Sequence, residues 1–284
     1  MPRARVILIA DLARPEAKGV SQRVRDMIES HAELVAEIEP DDAPLSESID
    51  AQLAVVVGGD GTLIQQARRL AGRNISLVGV NVGRLGFLAE FDVETLAEHA
   101  SLIFGSNAGM REHVLLSAAV HCANGGKRQR HLAVNDWVIS AGPPFRIIEL
   151  RLSIDGAEGP VLSGDGMIVA TTVGSTAYNV SAGGPIVHPA LEAMVVTPLA
   201  AHSLAFRSIV LRADCTLLVT MIQTNAGTAL VGDGQVAEPL REGDVVEIRA
   251  HDRRTRFVTN PATSYWRILQ DKLHWAAPPR YRDA

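Results

Sequence analysis

Apolar residues in the first hundred positions come in short unbroken runs separated by stretches of helical period. Residues 6–10, Val-Ile-Leu-Ile-Ala, predict a strand, and Val20, Val24, Met27 and Ile28 then fall on one face of a helix. Residues 34–38 predict a second strand and 54–57 a third, followed by a helix carrying Leu63, Ile64, Ala67 and Leu70. A fourth strand at 75–80 and a helix over 92–104 with Asp92 as N-cap complete this half. Strands apolar at consecutive positions suit a parallel sheet covered on both faces. Beyond about residue 110 the period falls to two. Leu150, Leu152 and Ile154 alternate with Arg151, Ser153 and Asp155, and Asp155-Gly156 supplies a hairpin turn. Strand-like runs recur at 113–120, 132–139, 167–172, 215–222, 228–232 and 244–250, before Ile268, Leu269 and Leu273 restore helical spacing over 265–275. The pattern predicts an α/β domain over 1–108, a β-rich domain over 109–258 and a helical segment over 259–284 that packs back on the first domain.

Composition narrows the class. A chain of 284 residues has room for two domains, since single cores stop growing at about 250–300 residues. Lys+Arg 27 against Asp+Glu 32 gives a net charge of -5, which excludes a broadly basic nucleic-acid binder. Gly 24 and Pro 14 argue against a helical bundle. Two cysteines, Cys122 and Cys215, make no disulfide scaffold and have no partner at metal-ligand spacing, so a reducing compartment is expected. The apolar run at 6–10 is too short for a signal peptide or a membrane span, and a cytoplasmic protein without a membrane partner is expected.

The sharpest local feature is Gly58-Gly59-Asp60-Gly61-Thr62, directly after the third strand and directly before a helix. Glycines let the backbone approach a ligand and turn its N–H groups inward, while the helix start adds partial positive charge: a phosphate cradle. It lacks the Gly-Lys-Ser/Thr ending of a P-loop and the spacing of a dinucleotide fingerprint. A carboxylate beside phosphate needs a further purpose, either meeting Mg²⁺ or taking a proton from an attacking hydroxyl.

The string Gly58-Gly59-Asp60-Gly61-Thr62 resembles the motif shared by NAD kinases, diacylglycerol and sphingosine kinases and phosphofructokinases. Five further blocks, Asn81 to Leu88 (NVGRLGFL), Asn135-Asp136, Gly164-Asp165-Gly166, Gly174-Ser175-Thr176-Ala177-Tyr178-Asn179 and Ser181-Ala182-Gly183-Gly184-Pro185, resemble in order the motifs of bacterial NAD kinases. The resemblance implies a Rossmann-like α/β N-terminal domain, a β-rich C-terminal domain, a site between them, and transfer of the ATP γ-phosphoryl group to the 2′-hydroxyl of the adenosine ribose of NAD. It implies Asp60 as proton acceptor, with Gly58, Gly59, Gly61 and Thr62 as the phosphate loop and Mg²⁺ or another divalent cation arriving with ATP. For NAD it implies Asp60, Gly61, Phe87, Asn135, Asp136, Arg146, Asp165, Thr176, Ala177, Tyr178, Asn179, Val180, Ser181 and Gln235. It also implies a homodimer or homotetramer, a neighbouring subunit helping to complete the site. The chain departs from the family pattern at Asp136, where most members carry Glu, and at Ser163, where a basic residue is common.

Read on their own, Asn135-Asp136 interrupts an apolar run as a bulge or strand end would, and Ser175 and Thr176 are natural helix caps. His188 lacks an orienting acid in sequence and is expected to be structural. The runner-up enzyme at this level is a lipid or sugar kinase using the same cradle; Asp60 argues against a non-catalytic dinucleotide sensor, and the ordered motif matches against a β-rich assembly protein. An apolar acceptor pocket or a membrane-facing amphipathic helix would mark the lipid kinase.

Overall fold

The computed structural model describes residues 3–83, 86–105 and 107–277, with the side chains of all but Val236 and Ala237. Arg84 and Leu85, part of the second motif, lie outside the described residues. The chain divides into two compact units. The first runs to Arg111 and takes the chain back from Arg256 onward; the second is Glu112–Thr255.

In the first unit, β1 (Arg5–Ala10), α1 (Pro15–His31), β2 (Glu33–Ile38), β3 (Leu53–Val57), α2 (Asp60–Arg69) and β4 (Ser76–Val80) alternate along the chain. The four strands are parallel, in the order β2-β1-β3-β4. β3 and β4 are buried at every position, which is why their sequences are apolar without alternation. Pro15 opens α1 where a missing N–H costs nothing, and Val24 and Ile28 are buried from its apolar face in the same core as Val6, Leu8, Val55 and Val78. Burying side chains of this size contributes about 1.5–3 kcal/mol each.

The helix expected over 92–104 is two, α3 (Val93–Glu98) and α4 (Ala100–Ile103). Asp92 caps the first in a reciprocal capping box with Thr95, as its position predicts. His99 leaves helical geometry at φ -111°, ψ 10°, yet Val93, Leu96, Ala100 and Ile103 stay buried across the break. Packing on the sheet is kept where the hydrogen-bond ladder is not. The returning chain sets Phe257 parallel beside Leu77 of β4 and ends in the helix Tyr265–Leu273, which is capped by Ser264 and buries Ile268 and Leu269.

The second unit is β-rich. It holds the later part of β5 (Met110–His121), then β6 (His131–Ala133), β7 (Asp136–Ser140), β8 (Ile148–Ile154), β9 (Ala157–Gly164), β10 (Gly166–Thr171), the single turn α5 (Tyr178–Ser181), β11 (Ala193–Leu199), β12 (Ile209–Arg212), β13 (Leu217–Gln223), β14 (Ala229–Gly232), β15 (Val236–Pro239) and most of β16 (Val245–Val258). An antiparallel sheet runs β12-β11-β10-β7-β14-β15, and a second runs β16-β13-β8-β9 with β5 beside β16 and β6. Alternate residues of both sheets form one core: Trp137, Ile139, Met167 and Val169 from the first, Leu150, Leu152, Leu217 and Val219 from the second. Asp155 and Gly156 take φ of 49° and 80°, the left-handed pair of the predicted hairpin turn. Among the described residues no helix is long and apolar enough to cross a membrane.

Candidate active site

The strand order 2-1-3-4 places the chain's change of direction between β1 and β3, and in open parallel sheets ligands bind beyond the carboxyl ends of strands at such a point. A cavity of about 300 Å³ lies there. Asp11 and Arg14 line it beyond β1, Gly58, Gly59 and Thr62 beyond β3, and Asn81 beyond β4. Gly59 is the N-cap of α2 and brings no capping side chain, so the first N–H groups of this ten-residue helix are free to meet an anion.

The glycines of the cradle divide into two kinds. A Cβ on Gly58 would meet Thr62 Oγ1 at 2.8 Å, so the fold itself requires that glycine. A Cβ on Gly59 or Gly61 would meet nothing within 4 Å. Among the described residues nothing in the packing calls for those two positions to be bare.

Asp60 is the first residue of α2, and its carboxylate is clamped by the loop that follows β4. Oδ2 accepts the Phe87 N–H at 2.7 Å, and Oδ1 accepts those of Leu88 at 3.1 Å and Ala89 at 2.9 Å. Gly86 has to be glycine, because a Cβ would overlap Asp60 Oδ1. A carboxylate offers about four acceptor positions. Among the described residues three are filled, and the one left open is on Oδ2. Phe87 is half-buried and contributes its N–H to this clamp.

In the second unit the run expected as one strand at 132–139 breaks at Asn135, and a carboxylate explains the break. Asp233 Oδ2 accepts the Val134 N–H at 2.9 Å, and Oδ1 accepts those of Asn135 at 2.8 Å and Asp136 at 3.1 Å. Thr171 takes the other side, donating Oγ1–H to the Val134 carbonyl and N–H to that of Asn135. Asp136 is 4% exposed, and burial, with the Asp233 carboxylate beside it, pushes its carboxyl pKa up to about 7. Gly174 packs so closely on the Asn135 carbonyl that a Cβ would overlap it. Asn135, Asp136, the start of the 174–181 turn and the Asp233 turn are therefore one cluster. Sequence reasoning missed Asp233 as a site residue; its signal was the flanking Gly232 and Gly234, read only as a hairpin turn.

Ser175 and Thr176 do not cap a helix: α5 has Ala177 as N-cap and no side-chain cap. Ser175 is buried and joins Thr172 to Val187, while Thr176 Oγ1 donates to the Val173 carbonyl. Asn179, expected along the dinucleotide, is fully buried. Its amide donates to the Ser175 and Pro185 carbonyls and accepts from Thr197, so its side chain holds the turn. Tyr178 is half exposed and Ser181 exposed, with Ala177 and Val180 partly covered. Gln235 is exposed just past the Asp233 turn. His188 Nδ1 accepts the Ala190 N–H at 3.2 Å in the turn after it.

Two expected residues stand apart. Asp165 is exposed at the corner between β9 and β10, and the length of β10, about 17 Å, separates it from the end that packs on Asn135. Arg146 is exposed on an open groove of about 590 Å³ that Glu149, Asn225 and Glu242 also line. Among the described residues no three His, Cys, Asp or Glu side chains are placed to hold a metal ion.

A parallel sheet with its cavity at the change of direction, a bare helix start and a clamped carboxylate within the glycine turn define a kinase of the Gly-Gly-Asp-Gly-Thr class. Residues 11–107 match the family model for the ATP-NAD kinase N-terminal domain, and residues 134–260 that for the ATP-NAD kinase C-terminal domain. The NAD kinase of Syntrophotalea carbinolica is 38% identical over 91% of this chain and 86% of its own length; that of Geobacter sulfurreducens is 36% identical over 96% and 95%. The chain belongs to the NAD kinase family. An NAD kinase from Archaeoglobus fulgidus, solved in complex with ATP, superposes with a TM-score of 0.76 at 25% identity, covering 95% of this chain and 98% of the other. Yeast NADH kinase, solved with NADH, shares the fold with a TM-score of 0.84 at 22% identity over 100% and 91%.

Proposed function

We infer that the chain transfers the γ-phosphoryl group of ATP to the 2′-hydroxyl of the adenosine ribose of NAD, giving NADP and ADP, with Asp60 as the proton acceptor. The observation that carries this reading is the pairing of a carboxylate fixed through three N–H groups with two glycines, Gly59 and Gly61, that no described residue crowds. Phosphoryl transfer asks for positioning and charge neutralisation more than covalent chemistry. Backbone N–H groups at the start of α2 face the phosphate chain of Mg·ATP, with Gly58 and Thr62 shaping the turn. Asp60 Oδ2, which keeps an acceptor position that no described residue fills, takes the 2′-hydroxyl proton as the O2′–Pγ bond forms and the bond from Pγ to the ADP oxygen breaks. A divalent cation bound to the nucleotide would supply neutralisation of phosphate charge; Asp11 and Glu16 are the carboxylates that line the cavity and would face it.

The dinucleotide is held by the Asn135 amide and the Asp136 carboxyl, with Tyr178 offering a ring face and hydroxyl and Thr176, Ala177, Val180, Ser181 and Gln235 near it. The distance of Asp165 from Asn135 within one chain supports a site to which a second protomer contributes Asp165, hence a homo-oligomer. The test is NADP formation from NAD, ATP and Mg²⁺ by the purified protein beside Asp60→Asn. We expect a rate loss of roughly 10²–10⁴-fold with NAD still bound. An unimpaired Asp60→Asn enzyme refutes the role of Asp60, and no NADP from the unaltered protein with any phosphoryl donor refutes the activity.

A further inference from the structure

The loop that clamps Asp60 is itself fastened, and the fastening comes from the far end of the chain. Glu90 follows directly on Phe87, Leu88 and Ala89, whose N–H groups hold the Asp60 carboxylate. It is 7% exposed. Its Oε2 accepts the Asn260 N–H at 2.9 Å, its main-chain carbonyl accepts from Asn260 Nδ2 at 2.8 Å, and Arg111 Nη1 lies 3.5 Å from Oε1. Asn260 is 5% exposed, and its Oδ1 accepts the Ala262 N–H at 2.9 Å in the turn before the C-terminal helix. Asn260 thus uses its backbone N–H and both ends of its side-chain amide. On the other side, Phe91 donates to the Gly79 carbonyl at 3.1 Å and accepts from the Asn81 N–H at 2.7 Å, which ties the same segment to β4.

This arrangement is costly for a purely structural joint. Burial pushes the Glu90 carboxyl pKa up, against the lowering effect of the Asn260 N–H and Arg111. The Glu90–Asn260 hydrogen bonds are buried, and such bonds return only a small net stability each because both partners give up water to make them. What the pair supplies that apolar packing could not is direction: a fixed place for the Glu90 main chain, one residue from the Asp60 clamp.

We propose that Glu90 and Asn260 are positioning residues for the phosphoryl transfer, a latch that holds residues 87–89 and through them the Asp60 carboxylate in the orientation that receives the ribose proton. The proposal rests on the reading of Asp60 as proton acceptor. The latch touches neither substrate, so its loss lowers turnover and leaves substrate affinity in place.

The test uses the full chain and steady-state NAD phosphorylation by Glu90→Ala, Glu90→Gln and Asn260→Ala, with Asp60→Asn alone and combined with Glu90→Ala. Displacing a reacting group by an ångström costs up to about 100-fold, so Glu90→Ala and Asn260→Ala should lower kcat about 10–100-fold with KM for ATP and NAD changed less than about twofold. Glu90→Gln keeps an oxygen for the Asn260 N–H and should recover most of the rate; it also serves if the alanine variant does not fold. In the Asp60→Asn background, Glu90→Ala should cost nothing further. Unchanged kcat in the two alanine variants, no rescue by Gln, or an equal loss in the Asp60→Asn background overturns the latch. A wild-type rate in Asp60→Asn alone overturns the proton-acceptor reading and the latch with it, and that result is read without touching Glu90.

Discussion

Asp136 makes a measurable claim about stability. Its carboxyl is buried beside the Asp233 carboxylate and its pKa is raised from 3.8 to about 7. A shift of about three units corresponds to about 4 kcal/mol of difference between the protonation states. The sign follows from linkage. The folded chain holds the Asp136 proton more tightly than the unfolded chain, so its stability is highest, in this respect, below about pH 4 and falls as pH rises toward and through 7. Of the whole, about 3 kcal/mol falls between pH 5 and pH 8. Asp136→Asn keeps the shape and removes both its own titration and its coupling to Asp233, while carboxylates remote from the pair are the same in both proteins. The assay is urea unfolding followed by the fluorescence of Trp137, the fully buried indole next in sequence. The midpoint of the variant should gain on the wild type by roughly 1 M urea between pH 5 and pH 8. A difference that stays constant across this range refutes the claim that Asp136 is a buried carboxyl with a raised pKa.

Three other outcomes follow from the same geometry. Gly61→Ala should stabilise the protein by up to about 1 kcal/mol in thermal unfolding, because Ala favours the helix and its Cβ meets open space, and yet raise KM for ATP by occupying room kept for phosphate. Gly86→Ala should do the reverse of a silent change: its Cβ overlaps Asp60 Oδ1, so kcat should fall at least about tenfold in the NADP-formation assay. Asp233→Ala leaves the N–H groups of Val134, Asn135 and Asp136 without their acceptor; it should cost about 2–4 kcal/mol by urea unfolding and weaken NAD binding in calorimetry.

What was legible in the sequence was local. β1, β3 and β4 declare themselves by consecutive apolar residues, and the cradle by strand, glycines and helix start within a few positions. The switch to period two beyond residue 110 reports the sandwich of the second unit, and Asp92 and Asp155-Gly156 act where their types predict. β9 was hidden by Gly159 and Pro160, residues a central strand excludes; it lies at a sheet edge, where a missing donor is harmless. The long-range clamps were not legible at all. Asp233 reaches back to Val134, Asn135 and Asp136, and Asn260 to Glu90, across separations that no periodicity encodes. Asn179 was legible only through its local motif; the Thr197 hydroxyl whose hydrogen bond its side chain accepts comes from β11.

The first unit is discontinuous in the chain, and that sets an order on its completion during synthesis. The glycine turn, Asp60 and Glu90 leave the ribosome early, but Phe257 and Asn260, which join β4 and the Glu90 loop, follow only after all of Glu112–Thr255. At about 5–20 residues per second the interval is roughly 7–30 s. Through that time a nascent chain carries a phosphate cradle whose acidic residue has its clamp but not its latch. A product truncated before Asn260 would keep every residue of the cradle and still lack the contact that fixes it, so only a chain translated past its final strand to Asn260 has a fully braced Asp60.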